Sequence, residues 1–504
     1  MQGKKQFTDQ VVTHFRLSER MPPHNLYRRL DELLDLAFLY QQTQALYSHT
    51  GQPSHDPVVF FKLVLVGHLE NITSDRRLLK HCALRLDLHW FLGYELEEDL
   101  PWHSTLSRTR QLYPATLFEQ LFDRVFRLCV AQGLVKGDTQ AVDSAPVKAN
   151  ASLDSLCEKQ SALELSAGLR VVDEDSQPPV APPLVALCSA PAHQLRHEAR
   201  RQAKRQQQAG SLGAKNPHAR LLSNKTHYST TDPDARISVK PGKARALNFL
   251  CSLAVDTAYG VISQVQADLA DSRDSLHLPG LVRHVQQRLA ANDLQLQDLF
   301  ADTGYSNGFN YAWLENSNII PWIPVFGAYK PVLDGFTYHA DVDEYRCRAG
   351  KSLPFRKYCT TADGGWMKHY RAFYQDCQHC DFKASCVPYA DHKQLNRSAF
   401  EAAYHRAWHR QRSRQGQHMR QRTIEPVFGN LLHHYGLRRI NVRGQAGAYK
   451  SMLLATIAYN LKKLLRYRPE RTQRMAIALA MPSPPLGRFF WLRARHKLAK
   501  MESR

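Results

Sequence analysis

The stretch LFADTGYSNGFNYAWLE, residues 299 to 315, decides how the middle of this chain is read. An apolar, strand-like run breaks at Asp302 into Thr-Gly-Tyr, and helical spacing resumes near NGFNYAWLEN. A carboxylate placed where a strand ends and a helix begins lies at the edge of a sheet, where residues distant in sequence can meet it. Working outward, TQAVDSAPVKANAS is a short β-like run that carries Asp143 and is followed by Pro146. ALNFLCSLAVDT and GVISQVQADLA continue as strands, SLHLPGLVRHVQQRLA as an amphipathic helix, LQLQDLFADTGY as a strand and IIPWIPV as another. The order β, β, β, α, β, α, β predicts an α/β fold in which helices pack on a mixed sheet.

Upstream, residues 24 to 132 are helical almost throughout, with Leu30, Leu33, Leu34 and Phe38 at helical spacing. Ser74 and Ser104 stand as N-caps of SDRRLLKHCAL and STLSRTRQLY, and Gly133 closes ATLFEQLFDRVFRLCVAQG. Arg76, Arg77, Lys80, Arg108 and Arg110 give these helices basic faces suited to phosphates. Periodicity alone fits an ordinary helical bundle with a solvated face better. The chain of 504 residues carries 67 Lys and Arg against 46 Asp and Glu, a net charge of +21, which favours a polyanionic partner, nucleic acid before membrane. No apolar run approaches the roughly 18 residues of a membrane span, and MQGKKQFTDQ lacks the apolar stretch of a signal peptide. A cytoplasmic protein is expected.

Between residues 158 and 225 the periodicity lapses into the Pro-rich QPPVAPPLVA and the cationic RHEARRQAKR, a basic arm that includes Arg200, Arg201, Lys204 and Arg205. Further on, Cys377 and Cys380 form a C-x-x-C pair, with Cys386 six positions later and Cys347 and Cys359 upstream. Cys347, Cys377, Cys380 and Cys386 suit a closed structural zinc site, with Cys359 as a substitute fourth ligand. Reduced thiols in a packed insertion are the alternative, and ten cysteines in 504 residues are too sparse for a disulfide scaffold. Near the C-terminus, TIEPVFGNLLHHYG puts Ile424, Val427, Phe428, Leu431 and Tyr435 on one stripe. Pro426 places Glu425 near that helix's start. AGAYKSMLLATIAYNLKKLL follows as a core helix.

Asp143, Asp302 and Glu425 therefore sit on a first strand, at the end of a later strand and on a helix. Three carboxylates converging at a sheet edge would provide hard oxygen ligands for magnesium, and two divalent ions about 4 Å apart serve phosphodiester cleavage. Each acid taken singly fits better as a surface Asp or a helix-start Glu stabilised by the dipole.

AVDSAPVKANAS, FADTGYSNGFNYAWLE and RQRTIEPVFGNLLHHYGLRRINVRG together resemble the three catalytic blocks of DDE transposases of bacterial insertion sequences, in the branch with a cysteine-bearing insertion before the Glu block. GQPSHDPVVFFKLVLVGHLENITSDRRLLKHC with DLPWHSTLSRTR resembles that branch's N-terminal domain, THYSTTDPDARISVK its approach to the second strand, and YRAFYQDCQHCDFKASC its cysteine motif. The resemblance covers about four-fifths of the chain, in the expected order. It implies a ribonuclease-H-like mixed sheet with flanking helices, an all-α N-terminal domain and a small cysteine-containing insertion. It also implies a triad of Asp143, Asp302 and Glu425 that binds Mg2+, with Mn2+ as a substitute. Relatives place an Arg before the Glu and a Lys one or two turns after it. Arg420 and Arg422 fill the first role, whereas Leu431 and Leu432 occupy the second region and leave Arg438 or Arg439 to compensate.

The expected domains are 1–135 (helical, DNA-binding), 136–335 (first part of the catalytic core, with the arm at about 158–225), 336–400 (cysteine insertion), 401–470 (C-terminal helices of the core) and 471–504 (basic tail). The expected activity is binding of the element's ends, metal-dependent cleavage, and strand transfer into target DNA. The partners are double-stranded DNA at terminal inverted repeats and target, with a homodimer in the synaptic complex and no membrane. A nuclease of the same fold and a domesticated, non-catalytic DNA-binding protein are the rival readings.

Overall fold

The computed structural model describes residues 16–47, 55–158, 223–238, 245–327, 329, 332–413 and 424–467. The N-terminal part is helical: α1 (Leu17–Arg20), α2 (Leu26–Leu33), α3 (Phe38–Thr43), α4 (Pro57–Leu69), α5 (Asp75–Ala83), α6 (Leu86–Leu92), α7 (His103–Leu112) and α8 (Ala115–Ala131). Asn25 caps α2 by accepting from the N–H groups of Tyr27 and Arg28, and Asp56 caps α4, with Pro57 at its first position. Two local expectations are corrected and one holds in part. The Leu30 to Phe38 stripe is split between two helices, because the chain is extended at Leu34 and Asp35 restarts it by accepting from the N–H of Ala37. Ser74 holds its N-cap position without a side-chain bond, and Ser104 lies inside α7, whose cap is Trp102.

A six-stranded mixed sheet follows. Its strands are β1 (Thr139–Lys148), β4 (Arg236–Ser238), β5 (Ala246–Asp256), β6 (Val261–Leu269), β7 (Asp298–Ala301) and β8 (Ile320–Trp322), while β2 (Leu156–Glu158) and β3 (His227–Ser229) pair with each other alone. The order is β6 and β4 on one edge of β5, then β1, β7 and β8. β5 is antiparallel to β1 and β6, whereas β1, β7 and β8 run parallel. α9 (Asp274–Ala290) packs on β5 and β6, and α10 (Gly308–Asn316) joins β7 to β8. The sequence-derived order holds for β1, β5, β6, α9, β7, α10 and β8, but the reading lacked β4, which adds a sixth strand to the sheet, and the β2–β3 pair. β5 is buried along nearly its whole length, as its apolar run requires of a central strand.

Residues 336 to 398 form a separate five-stranded antiparallel sheet in the order β13 (Gln394–Ser398), β12 (Trp366–Arg371), β11 (Ser352–Thr360), β10 (Glu344–Cys347) and β9 (Phe336–His339). Two short helices, α11 (Tyr374–Gln378) and α12 (Lys383–Cys386), lie between β12 and β13. Its core is small: Tyr345, Leu353, Tyr370 and Ala372. α13 (Glu401–Arg410), α14 (Glu425–His434) and α15 (Gln445–Arg466) complete the described chain. α15 is buried on nearly all sides, packing on α8 and α4 as well as β6. Through it the N-terminal helices and the six-stranded sheet share one continuous core. Among the described residues no helix is long and apolar enough to cross a membrane.

Candidate active site

β7 ends at Ala301, directly across from Val142 on the parallel strand β1. The next residues on the two strands are Asp143 and Asp302, so ladder register puts both acids at one edge of the sheet, on strands about 4.8 Å apart. Asp143 is partly buried and accepts from the N–H of Ser144 at 2.7 Å. Asp302 is exposed and caps the turn Thr303–Tyr305, taking the N–H of Gly304 at 2.8 Å. A Cβ on Gly304 would stand 2.9 Å from the Asp302 Oδ1. Glycine is needed here for close approach: a side chain would displace the carboxylate. Asp302 makes no ion pair with any described lysine or arginine.

Tyr305 ends this turn with 1% of its surface exposed. Its hydroxyl shares a 2.5 Å hydrogen bond with Ser144 Oγ, and Ser144 shares another, 2.9 Å long, with Ser252 on β5. Burial holds the phenol well above the ordinary tyrosine range, reinforced by the charges of Asp274, Asp143 and Asp302, while the Ser144 bond works the other way. Three carboxylates thus surround one protonated phenol. Asp274, which the sequence reading did not single out, opens α9, and its Oδ2 lies 3.4 Å from the same point above Gly304 that Asp302 approaches. The only sequence signal for it was a cluster of acids in ADLADSRDS, which surface loops share. Asn310 braces this corner. Pro279 cannot donate to the Ser275 carbonyl within α9, and Asn310 Nδ2 supplies a hydrogen bond there at 3.0 Å while also donating to the Tyr305 carbonyl. The β11–β12 turn docks alongside, as Ser275 Oγ and Asn307 Nδ2 both donate to the Asp363 carbonyl.

Glu425 is exposed as the first residue of α14, with Pro426 behind it in the first turn. Val427, Phe428, Leu431 and Tyr435 are buried and Ile424 packs beside them, as the stripe required. The end of α14 is fixed by the N-terminal helical region. Asn71 Nδ2 donates to the His433 carbonyl, Asn71 Oδ1 accepts from the Gly436 N–H, and His68 Nδ1 lies 2.9 Å from the Tyr435 carbonyl. Arg439 bridges to Lys148 at the end of β1. Among the described residues, no three His, Cys, Asp or Glu side chains form a group that could hold a metal ion as they stand. The structure thus joins Asp143 and Asp302 through the sheet and gives Glu425 a separate mounting.

Arg76, Arg77, Lys80, Arg108, Arg438 and Arg439 are exposed. The loop before α5 contacts the segment that carries Arg438 and Arg439, with Asn441 Nδ2 donating to the Thr73 carbonyl. Arg110 is different. It is 9% exposed, and its guanidinium makes two parallel hydrogen bonds to Asp75, 2.9 and 3.0 Å long. That pairing uses the fork a phosphate would need, so the expectation of a DNA contact at Arg110 is corrected to a structural role. Arg200, Arg201, Lys204, Arg205, Arg420 and Arg422 lie outside the described residues.

Cys347, Cys377, Cys380 and Cys386 line one cavity of about 30 Å³, together with Phe336, Leu353 and Phe382. Cys359 lies away from it on β11, opposite Met367. The cavity walls also include Arg348, Lys351, Lys383 and Lys393.

Two family matches fall on this architecture. Residues 15–112 match the family described as Transposase domain (DUF772), and residues 346–465 match Transposase DDE domain. Both are transposase domains. The first covers the helical region up to the end of α7. The transposase DDE match takes in the four cavity cysteines and Glu425, but begins after Asp143 and Asp302. No curated protein and no solved structure was found to match the chain.

Proposed function

We propose that this transposase binds the ends of an insertion sequence, cleaves DNA there in a metal-dependent reaction and joins the 3′-ends to target DNA. The observation that carries the reading is the juxtaposition of Asp143 and Asp302 at the ends of parallel strands β1 and β7. The strand order β6-β5-β1-β7-β8, with the first three antiparallel and the last three parallel, supports a ribonuclease-H-like core.

The donor set fits magnesium: carboxylate oxygens at one sheet edge, with Asp302 free of any described cation. Asp143, Asp302 and Glu425 would hold it, with Mn2+ as a substitute. When bound, such ions activate water or a 3′-hydroxyl and stabilise the departing alkoxide. The chain's own part is positioning. The N–H groups of Ser144 and Gly304 orient the two aspartates, and Tyr305 stays protonated beneath them and takes no nucleophilic role. Glu425, the first residue of α14, would complete the acidic set. In vitro, the full chain with Mg2+ and DNA carrying the element's ends should cut and then join 3′-ends to a second duplex. Cleavage without joining would favour the nuclease reading, and binding without cleavage the domesticated one.

Exposed Arg76, Arg77, Lys80, Arg108, Arg438 and Arg439 supply phosphate contacts, joined by the basic arm and by Arg420 and Arg422. A homodimer brings two element ends together. Cys347, Cys377, Cys380 and Cys386 fit structural zinc. Four thiols share one cavity, and the surrounding arginine and lysines offset the charge of four thiolates. Small rearrangements of the side chains would close the tetrahedron and supply the folding energy that a four-residue core does not. Protein purified without chelator should carry about one zinc per chain. Less than about half an equivalent, with freely titratable thiols, would leave reduced cysteines.

A further inference from the structure

We propose that Tyr305, acting through Ser144, is a positioning residue that sets the spacing of the Asp143 and Asp302 carboxylates and thereby the affinity of the site for divalent metal; the inference rests on the catalytic reading above. Ladder pairing between β1 and β7 stops at Val142 and Ala301, one residue short of both acids. Beyond that point a hydrogen bond between the Tyr305 hydroxyl and Ser144 Oγ joins the two segments. Ser144 directly follows Asp143, and Tyr305 closes the turn that Asp302 caps. Successive residues of β1 face opposite sides of the sheet, so Ser144 grips from the buried face while the Asp143 carboxylate projects from the other.

The bond is anchored deeper in the sheet. Ser144 Oγ is paired with Ser252 Oγ, and Ser252 donates to Asp268, whose carboxylate also receives both contacts from Gln266 Nε2. Each hydroxyl has one proton to give. Either hydroxyl of each pair can donate, so the three side chains form one buried hydroxyl chain from Tyr305 to Ser252, and the turn cannot rotate without breaking a buried bond. All three side chains are nearly inaccessible to water, which would otherwise replace the lost partner.

The test uses Tyr305→Phe in the full-length protein, which removes one oxygen and keeps the ring. Mn2+ binding is measured by calorimetry without DNA, and the Mg2+ concentration for half-maximal cleavage is measured separately. Supporting partners of metal ligands typically contribute 10- to 100-fold in affinity, so both midpoints should rise by about tenfold while affinity for DNA stays unchanged. Ser144→Ala should reproduce the shift from the other side of the bond, and the double variant should show little further change, as expected for two partners in one interaction. If Tyr305→Phe fails to fold, Ser144→Ala alone decides. Metal midpoints within about twofold of wild type, whatever the change in melting temperature, would reduce the bond to ordinary packing and overturn the proposal. Wild-type protein that binds no Mn2+ and cleaves no DNA would instead sink the catalytic reading.

Discussion

Asp143 and Asp302 are mounted differently from Glu425. The two aspartates stand one residue beyond a four-pair parallel ladder and are tied beneath by Tyr305, Ser144 and Ser252. Glu425 stands on the first turn of a helix whose far end is clasped by His68 and Asn71 of the N-terminal region. A strand edge inside a shared core moves little, because moving it breaks register and packing together. α14 also packs into that core through Val427, Phe428 and Leu431, but its far end is placed by hydrogen bonds from the N-terminal region. The comparison sets one half of the proposed site on a strand ladder and the other on a helix whose position depends on how the N-terminal helices are held.

The largest effect should come from the half on the strand ladder. Asp302→Asn or Asp143→Asn should leave DNA binding intact and reduce cleavage on the order of a thousandfold or more, read in a single-turnover assay with Mg2+. Cleavage near the wild-type rate would remove these acids from the chemistry. Next in size is Gly304→Ala, whose added methyl meets the Asp302 carboxylate at 2.9 Å. Since the atom that must yield is the end of a flexible side chain, the melting temperature should hold while cleavage falls by about 10- to 100-fold. Equal losses in stability and activity would show that the turn has a second constraint.

The half that carries Glu425 should behave in the opposite way. Asn71 has φ of 57°, so Asn71→Gly removes the side chain without straining the backbone. The variant should lose about 1–2 kcal/mol by urea unfolding and several-fold in cleavage, with the metal midpoint unchanged. A shifted midpoint would mean that the two halves are coupled more tightly than their mountings imply. The smallest effect is one of pH. Burial pushes the His68 imidazole down to about 4, only partly offset by its bond to the Tyr435 carbonyl. Its unfolded value is near 6.5, so the unfolded chain takes up the proton first. The stability this neutral ring contributes is complete above pH 6.5 and is lost as pH falls towards 4. Allowing for the ring's partial solvent contact, the loss by pH 5 should be on the order of 1–2 kcal/mol. Unfolding curves for wild type and His68→Gln at pH 7.5 and 5 would check it, since the variant should lack this component.

Much of the strand-edge half was legible in the sequence because its signals are local. The apolar run to Ala301, the break at Asp302 and the helical spacing after Gly308 each follow from which face of a short segment must be buried, and the Pro426 position set the start of α14. The five-stranded fold of the insertion was not legible, since its strands bury few residues and leave weak alternation. Arg110 was misread for a related reason. An arginine on a polar helix gives the same pattern whether it faces solvent or an aspartate 35 positions away, and only the packing of α5 on α7 brings Asp75 within 3.0 Å. Likewise, nothing local marks Asp274, or ties Tyr305 to a serine 161 positions earlier. From β5 to β8 and in the last two helices, the sequence by itself determined which segments are strands and helices and which acids stand at their ends, because periodicity and turn chemistry act over a few residues. Tertiary structure alone decided which side chains meet: four cysteines at one cavity, Tyr305 on Ser144, and Glu425 on a helix held by the N-terminal region. Those contacts join positions tens to hundreds of residues apart, and their geometry is set by the shared core.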